Sequence, residues 1–174
     1  KVAFLSREPR AVTALMEIIA GNDKPDTGMV EWGVTITPAY LPLNNASFFN
    51  NQLSILDWIA QFSDDTSELY LRGYLGKMLF SGDEIHKRVN VLSGGEKVRC
   101  MLSKLMISGA NVLILDEPFN AMDKASMEEV HDLLQRFKAQ DKTVLLASHS
   151  AEDIARACDV IYEMEDGGLH LVKQ

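Results

Sequence analysis

Apolar positions along the chain follow two different spacings, and each change of spacing marks a new element. Short uninterrupted apolar runs bounded by turn residues predict buried strands, and apolar residues three and four positions apart predict helices. The chain opens with an apolar run from Val2 to Leu5, followed by Leu15, Ile18 and Ile19 at helical spacing and by Gly21 as a stop signal. This opening segment predicts a strand, a short loop and a helix.

The rest of the chain continues this alternation. Two short strands are predicted within residues 29–42, two amphipathic helices within 53–80 and a longer helix within 91–110. After these come the strand NVLILDEP, a helix around Met127 to Phe137, the strand TVLLASH, a helix around Ala151 to Ala157 and a terminal hairpin that turns at residues 166–168. Strands that alternate with helices predict an α/β fold with a mainly parallel sheet, here with a helical insertion.

Composition narrows the class of protein. The chain has 174 residues, 47% of them hydrophobic, and a mean hydropathy of −0.04, which is typical of one globular domain. No uncharged apolar run approaches the roughly 20 residues needed to cross a bilayer, and no signal-peptide pattern opens the chain. We therefore expect a cytoplasmic protein without direct membrane insertion, which would reach a membrane only through a partner.

The charge argues against a general nucleic-acid-binding protein, and the cysteines do not indicate a metal-binding protein. A net charge of −8 and an isoelectric point near 5.0 argue against broad electrostatic attachment to nucleic acid. The two cysteines, Cys100 and Cys158, have neither C-x-x-C spacing nor a companion histidine cluster, so they do not indicate a metal site. We expect both to be buried free thiols in a reducing compartment.

The connection between the first strand and the first helix has the layout of a phosphate-binding P-loop but few of its residues. When the pattern G-x-x-x-x-G-K-[ST] is laid on it, Ser6 stands at the first glycine, Ala11 at the second, Val12 at the lysine and Thr13 at the hydroxyl. Only the hydroxyl is kept. The segment is either a nucleotide site that has lost its lysine or a connection that never held a nucleotide.

LSGGE, residues 92–96, is a helix start with two interpretations. Ser93 and Glu96 have the spacing of a capping box, in which each side chain satisfies a backbone donor of the other residue. The capping box does not explain Gly94 and Gly95, which cost helix stability and are useful where a backbone approaches another group closely. A helix N-terminus beside a serine hydroxyl suits a terminal phosphate, so we expect an anion site here.

Acids and a histidine follow two of the predicted strands. Asp116 and Glu117 end the strand LILDE, at the carboxyl edge where open α/β sheets bind ligands. An aspartate there can hold Mg²⁺ through water, and the next acid can position or deprotonate an attacking water. Ser148 and His149 end the next strand at the same edge, where the histidine can contact a γ-phosphate. We expect these residues to meet Thr13.

Together these motifs closely resemble the ABC ATPases, and the resemblance covers nearly the whole chain. The segment LSGGEKVRCMLSKLMISGANVLILDEP carries most of it. By resemblance, the signature motif is Ser93, Gly94, Gly95 and Glu96, the Walker B aspartate is Asp116, the catalytic glutamate is Glu117, the D-loop aspartate is Asp123 and the switch histidine is His149. The resemblance implies a P-loop NTPase-like three-layer sandwich and ATP held between the P-loop of one domain and the signature motif of a second ABC ATPase domain.

The resemblance also assigns roles and boundaries. It implies ATP and Mg²⁺ as cofactors, with Glu117 and His149 catalytic and Thr13 and Asp116 on the metal. The implied nucleotide contacts are Ser6, Arg10, Ala11, Val12, Thr13, Ala14, Ser93, Gly94, Gly95, Glu96 and Asp123. A single ABC ATPase domain fragment is expected over residues 1–174, with the P-loop strand and helix and the Q-loop region in 1–50, the helical subdomain with the signature helix in 51–110, and Walker B, the D-loop, the switch histidine and the terminal hairpin in 111–174.

Two parts of the chain resemble different branches of that family. GVTITPAYLP, LRGYLGKMLFSG and VNVLSGGEKVRCMLSKLM are similar to the C-terminal ATPase domain of ABC-F proteins, soluble tandem ATPases that act on the ribosome. The last third is more similar to transporter ATP-binding subunits, because Phe119, Asn120, Ala121, Met122 and Asp123 replace the T-N-H-L-D that is usual in ABC-F proteins. We therefore hypothesise a chimera joined near Pro118. The implied partner is the ribosome for the first branch and a transmembrane subunit for the second.

The chain departs from the family at several nucleotide contacts. Val12 removes the cation that would reach the β- and γ-phosphates, Ser6 and Ala11 replace glycines of the loop, and Pro9 removes an amide donor. Leu43 stands about where many ABC ATPases have the Q-loop glutamine, and the N-terminal antiparallel β-subdomain that carries the adenine-stacking aromatic is missing. Since losing one charge-assisted phosphate contact costs about 1.5–3 kcal/mol, we expect weak ATP binding.

Three interpretations of function follow. The chain is an ABC-class ATPase that hydrolyses ATP slowly or only beside a partner, a non-catalytic module that lends LSGGE to a sound P-loop on another domain, or an engineered recombinant that keeps only the fold. Glu117 favours the first, and Val12 favours the second.

Overall fold

The computed structural model, which describes residues 1–120 and 122–173, divides into two units. The first unit comprises Lys1–Leu43, Ala110–Phe119 and Leu134–Gln174, and the second comprises Asn44–Gly109 and Asn120–Leu133. Ala121, which belongs to the predicted D-loop, lies outside the described residues.

The first unit is built on a six-stranded sheet with the order β2-β3-β4-β1-β5-β6. Its strands are β1 (Val2–Ser6), β2 (Pro38–Leu41), β3 (Val112–Asp116), β4 (Thr143–Ser148), β5 (Val160–Glu165) and β6 (Gly168–Lys173). Neighbouring strands from β2 to β5 pair in parallel, and β6 pairs antiparallel with β5. The predicted α/β fold with a mainly parallel sheet is confirmed.

The helices are α1 (Pro9–Ala20), α2 (Ile55–Ala60), α3 (Glu68–Lys77), α4 (Gly94–Ile107), α5 (Lys124–Ala139) and α6 (Ala151–Ala157). On one face of the sheet, Val12 and Met16 of α1 pack in a cluster with Ile114 of β3. The side chains of Leu113 and Leu115 alternate to the opposite face and are also fully buried. Both faces of β3 are therefore covered, as the predicted three-layer arrangement requires.

The prediction of two strands within residues 29–42 is wrong. Pro38–Leu41 is the strand in this range, and residues 29–37 form an irregular loop. Met29 and Val34 are 83% and 105% exposed, and the indole N–H of Trp32 donates to the carbonyl of Ile19 in α1 at 3.2 Å. β-Branched and aromatic residues favour a strand only where a neighbouring strand pairs with them. Trp32 is bonded to a helix instead, and Thr35 and Thr37 bond to Asn111.

The second unit is helical. It contains α2, α3, α4 and the start of α5, with short 3₁₀ segments at Ala46–Phe49, Gly82–His86 and Val89–Val91. Its core includes Trp58, which stacks on Phe49 with ring centroids 5.3 Å apart. The two helices predicted within residues 53–80 and the longer helix within 91–110 are confirmed.

Two properties of the whole chain also follow from the fold. Cys100 and Cys158 are buried free cysteines, as predicted. Within residues 1–120 and 122–173, none of the helices has the length and apolar character needed to cross a membrane.

Candidate functional site

The strands of the first unit bring the predicted polar residues to one edge of the sheet. β1, β3 and β4 run parallel, with Asp116 opposite Ala147 and Leu5 opposite Ser148. Asp116, Ser148 and Ser6 therefore lie at the carboxyl ends of neighbouring strands, the edge where open α/β sheets bind ligands.

Glu117 follows β3 and is fixed by the end of β4. Its Oε1 lies 2.9 Å from Nδ1 of His149, and its Oε2 accepts a hydrogen bond from Oγ of Ser148 at 3.2 Å. The Glu117 side chain is 9% exposed, whereas that of His149 is 61% exposed. Glu117 has a φ of 50°, in the left-handed region that costs a non-glycine residue energy and that clusters at functional sites. The carboxylate is thus held in a defined place, with an exposed imidazole beside it.

Asp116 is only 1% exposed and lies among hydroxyl donors. The Tyr40 hydroxyl lies 3.4 Å from its Oδ2, and the Thr13 side chain lies close enough to affect its pKa. Burial raises the pKa of Asp116, a shift that the Thr13 side chain opposes and the nearby Glu117 carboxylate strengthens. The predicted meeting of Thr13 with Asp116 is therefore present in the structure.

Neither Tyr40 nor Glu17 is predicted from the sequence as a site residue. The Tyr40 hydroxyl lies 3.1 Å from Oε1 of Glu17 and therefore bridges Glu17 and Asp116. Burial raises the pKa of Tyr40, and the Asp116 carboxylate adds to this shift. A local signal exists for Glu17, because it lies four residues after Thr13 on the same helix face. No local signal places Tyr40, since its position depends on β2 pairing with β3.

The connection between β1 and α1 is a tight turn rather than an extended loop. α1 begins at Pro9, so Arg7 and Glu8 are the residues between strand and helix. The Oγ of Ser6 accepts a hydrogen bond from the backbone N–H of Glu8 at 3.0 Å, which closes the turn. Proline at the first helical position favours a helix start there, because its fixed φ is already helical.

Five predicted nucleotide contacts therefore lie within α1, and the four besides Thr13 have different surroundings. Ala11 and Val12 are in its first turns, and Val12 is 4% exposed in the cluster with Met16. Arg10 and Ala14 are on the exposed side of the helix. The position aligned with the P-loop lysine is thus occupied by a core side chain.

A pocket beside this turn is acidic. It is lined by the turn between β1 and α1 and by the turn between β5 and β6, and its charged residues are Arg7, Glu8, Glu163, Glu165 and Asp166. One cation against four acids gives a negative local potential, which disfavours a polyanion such as a nucleoside triphosphate.

In the second unit, the predicted capping box starts α4. Oγ of Ser93 accepts a hydrogen bond from the N–H of Glu96 at 3.3 Å, and Oε2 of Glu96 accepts one from the N–H of Ser93 at 2.8 Å. Lys87 Nζ lies 2.7 Å from the other carboxylate oxygen of Glu96. Ser93 and Gly94 remain exposed at the helix start.

Gly95 is buried against the start of α5. A Cβ at Gly95 would lie 2.3 Å from Cβ and 2.4 Å from Oγ of Ser126. Ser126 is fixed in turn by Asp123, whose carboxylate accepts from the N–H of Ser126 at 3.0 Å and from its Oγ at 2.8 Å. These hydrogen bonds hold the pKa of Asp123 below its usual value, and the bond from the backbone N–H of Ser126 has the largest effect. The close approach expected at this glycine is to α5 of the same unit.

The family model described as "ABC transporter" matches residues 12–120, which is more than half of the chain. The chain therefore belongs to this family and is an ABC-class ATP-binding domain.

Individual relatives come from both branches that the sequence resembles. The chain is 47% identical over 171 residues to the uncharacterized ABC transporter ATP-binding protein YkpA of Bacillus subtilis, covering 97% of this chain and 31% of that protein. It is 30% identical over 170 residues to ABC transporter F family member 5 of Arabidopsis thaliana, covering 97% of this chain and 24% of that protein. The chain thus spans about a quarter to a third of the length of these relatives.

Solved structures show the same fold at low sequence identity. RNase-L Inhibitor matches with a TM-score of 0.75 and 23% identity, covering 95% of this chain and 32% of that chain. A dimeric ATP-binding cassette in a post-hydrolysis state, bound to ADP and phosphate, matches with a TM-score of 0.76 and 15% identity, covering 99% and 84%. The likeness establishes the P-loop NTPase-like fold of ABC ATPase domains.

Proposed function

We propose that this chain is an ABC-F-type ATPase domain whose own site binds Mg-ATP weakly and hydrolyses it slowly or only beside a partner domain. The observation that carries the proposal is a contrast at one edge of the sheet. Asp116 ends β3 there and Glu117 follows it, Thr13 lies beside Asp116 and His149 lies 2.9 Å from Glu117, while Val12 is packed in the core. This contrast supports a site that keeps the residues proposed to act on water and metal and lacks the lysine proposed to bind phosphate.

Each assembled residue has a defined role in the proposal. Thr13 and Asp116 would hold Mg²⁺, which supplies charge neutralisation on the phosphates when it is bound. Hydroxyl and carboxylate oxygens are ligands that this ion prefers. Among the described residues, no group of three or more His, Cys, Asp and Glu forms a metal site, so Mg²⁺ would arrive with the oxygens of the nucleotide. Glu117 would orient the attacking water and accept its proton, and His149 would keep the Glu117 carboxylate in place and contact the γ-phosphate.

The proposed partner is a second ABC ATPase domain. The exposed Ser93 hydroxyl at the start of α4 supports this role, because it is free to meet a nucleotide held by another domain. Asp123 and the remaining signature residues, Gly94, Gly95 and Glu96, would contribute at the same surface. We place the whole protein in the cytoplasm, with the ribosome as the target for the ABC-F branch and a transmembrane subunit as the alternative.

The ABC-F branch is preferred because an ABC-F protein matches nearly the whole chain. The hypothesis of a chimera joined near Pro118 stays a prediction, and the match to YkpA runs over 171 residues and so continues through that point.

A second candidate function is that of a non-catalytic domain. Its signature helix would contact a nucleotide bound to the intact P-loop of another domain. The burial of Val12 and the acids beside the turn between β1 and α1 favour it, because both weaken phosphate binding in this chain. The two candidates differ in whether Glu117 is a catalytic residue.

Nucleotide binding and phosphate release test the proposal. We expect Mg-ATP to bind with a Kd of about 1 mM or weaker, and titration calorimetry that gave a micromolar Kd would refute the weak site. Glu117→Gln should abolish phosphate release and leave binding unchanged, while Glu31→Gln, on an exposed loop, serves as the matched control. Turnover that persists in Glu117→Gln would remove this residue from its role, and no turnover in the unaltered chain, alone or with a second domain, would favour the non-catalytic candidate.

A further inference from the structure

The Tyr40 hydroxyl joins two carboxylates that have different surroundings. It lies 3.1 Å from Oε1 of Glu17 and 3.4 Å from Oδ2 of Asp116. A phenol has one proton, so the two acids share a single donor. We propose that Tyr40 is a positioning residue for Asp116, orienting the carboxylate that holds Mg²⁺ under the function proposed above.

The sheet and α1 together place this hydroxyl. Tyr40 pairs with Ile114, two residues before Asp116 on the neighbouring strand, and its ring packs against the apolar cluster under α1. Glu17 is fixed from its other side, because the Asn22 amide donates to its Oε2 at 2.7 Å. The ring and its nearer acceptor are therefore both held in place, and the hydroxyl stays within reach of Asp116.

Asp116 depends on such a donor because water does not reach it freely. The residue is 1% exposed, the Tyr40 hydroxyl lies 3.4 Å from its Oδ2, and the Thr13 side chain also lies beside it. The proposed function gives the Thr13 oxygen to the metal, so Tyr40 is the donor with no metal role of its own. Without Tyr40, one oxygen of a buried carboxylate loses its donor, and the orientation that the metal shell needs is less well defined.

The test compares Tyr40→Phe with Tyr162→Phe. Tyr162 lies in β5 of the same sheet and stacks on Phe4 at 6.1 Å, so its variant removes a hydroxyl from the same apolar cluster without touching Asp116. ATP is titrated into the 174-residue chain by NMR, once with Mg²⁺ and once with EDTA. We expect Tyr40→Phe to weaken ATP binding about two- to threefold in Mg²⁺, less than one full hydrogen bond because Glu17 shares the donor, and to leave binding in EDTA unchanged. Tyr162→Phe should change neither series.

The outcomes separate this inference from the proposed function. If Tyr40→Phe weakens ATP binding equally with Mg²⁺ and with EDTA, the cause is a folding or packing defect and the positioning role is wrong. Unchanged binding in both series would also overturn it while leaving the proposed function intact. Failure of the unaltered chain to bind ATP more tightly with Mg²⁺ than with EDTA would remove the proposed function and this inference with it.

Discussion

Replacing Gly95 by alanine distinguishes a glycine kept for helix packing from one kept for a phosphate. The new Cβ would lie 2.3 Å from Cβ and 2.4 Å from Oγ of Ser126, and 3.5 Å from its Cα. Carbon atoms in contact lie about 3.5–4.0 Å apart, so α4 and the first turn of α5 would have to separate by roughly 1 Å. Rotation of the Ser126 side chain does not relieve the contact, because Cβ stays in place and the hydrogen bond from Oγ to Asp123 would be lost.

The expected loss is the difference between two effects. Overpacking of this kind costs about 1–3 kcal/mol, and alanine recovers up to about 1 kcal/mol over glycine in a helix. We therefore expect Gly95→Ala to lower the free energy of unfolding by up to about 2 kcal/mol, and to leave it clearly below that of Gly94→Ala. Equilibrium urea unfolding followed by far-UV circular dichroism measures it.

Two further variants make the measurement decisive. Gly94→Ala changes the exposed neighbour in the same turn and should cost nothing. Adding Ser126→Gly to Gly95→Ala removes both close atoms and should recover part of the lost stability. If Gly95→Ala is at least as stable as Gly94→Ala, the packing explanation is wrong and the phosphate interpretation is favoured again.

Two other predictions concern the first unit. Val12→Lys would place an ammonium among Phe4 and Met16, so we expect urea unfolding to show a loss of about 2–4 kcal/mol and no tighter ATP binding; a gain in ATP affinity at unchanged stability would return position 12 to the phosphate site. The hydrogen bond from Lys138 lowers the pKa of Asp159 to about 2, below the ordinary value of about 4, so its stabilising effect is present above about pH 4 and is lost as the pH falls towards 2. Asp159→Asn should flatten the fall of the thermal midpoint across that range, and an unchanged slope would contradict the assignment.

Features of the fold that depend on neighbouring residues in the sequence were predicted correctly. The start of α4 follows from Ser93 and Glu96, because a capping box is a local signal that the backbone donors of one turn require. The buried strand β3 follows from its uninterrupted apolar run, and Asp116 follows from its place at the end of that strand.

Features that depend on distant partners were missed. Tyr40 contacts Asp116 across 76 positions of sequence, and that contact requires β2 to lie beside β3, which spacing alone does not predict. The reason for Gly95 is Ser126 on another helix. Pro9 has two consequences: it removes an amide donor, as the sequence indicates, and it also favours the start of α1.

The start of α1 at Pro9 has a consequence for how phosphate binding could be regained. From Ser6 to Thr13 the chain has as many residues as the P-loop pattern, so no insertion or deletion separates the two forms. Residues 9–11 form the first turn of α1 here, and Pro9 favours that helix start. A phosphate-binding loop over the same eight residues would therefore have to replace this turn without any change in chain length.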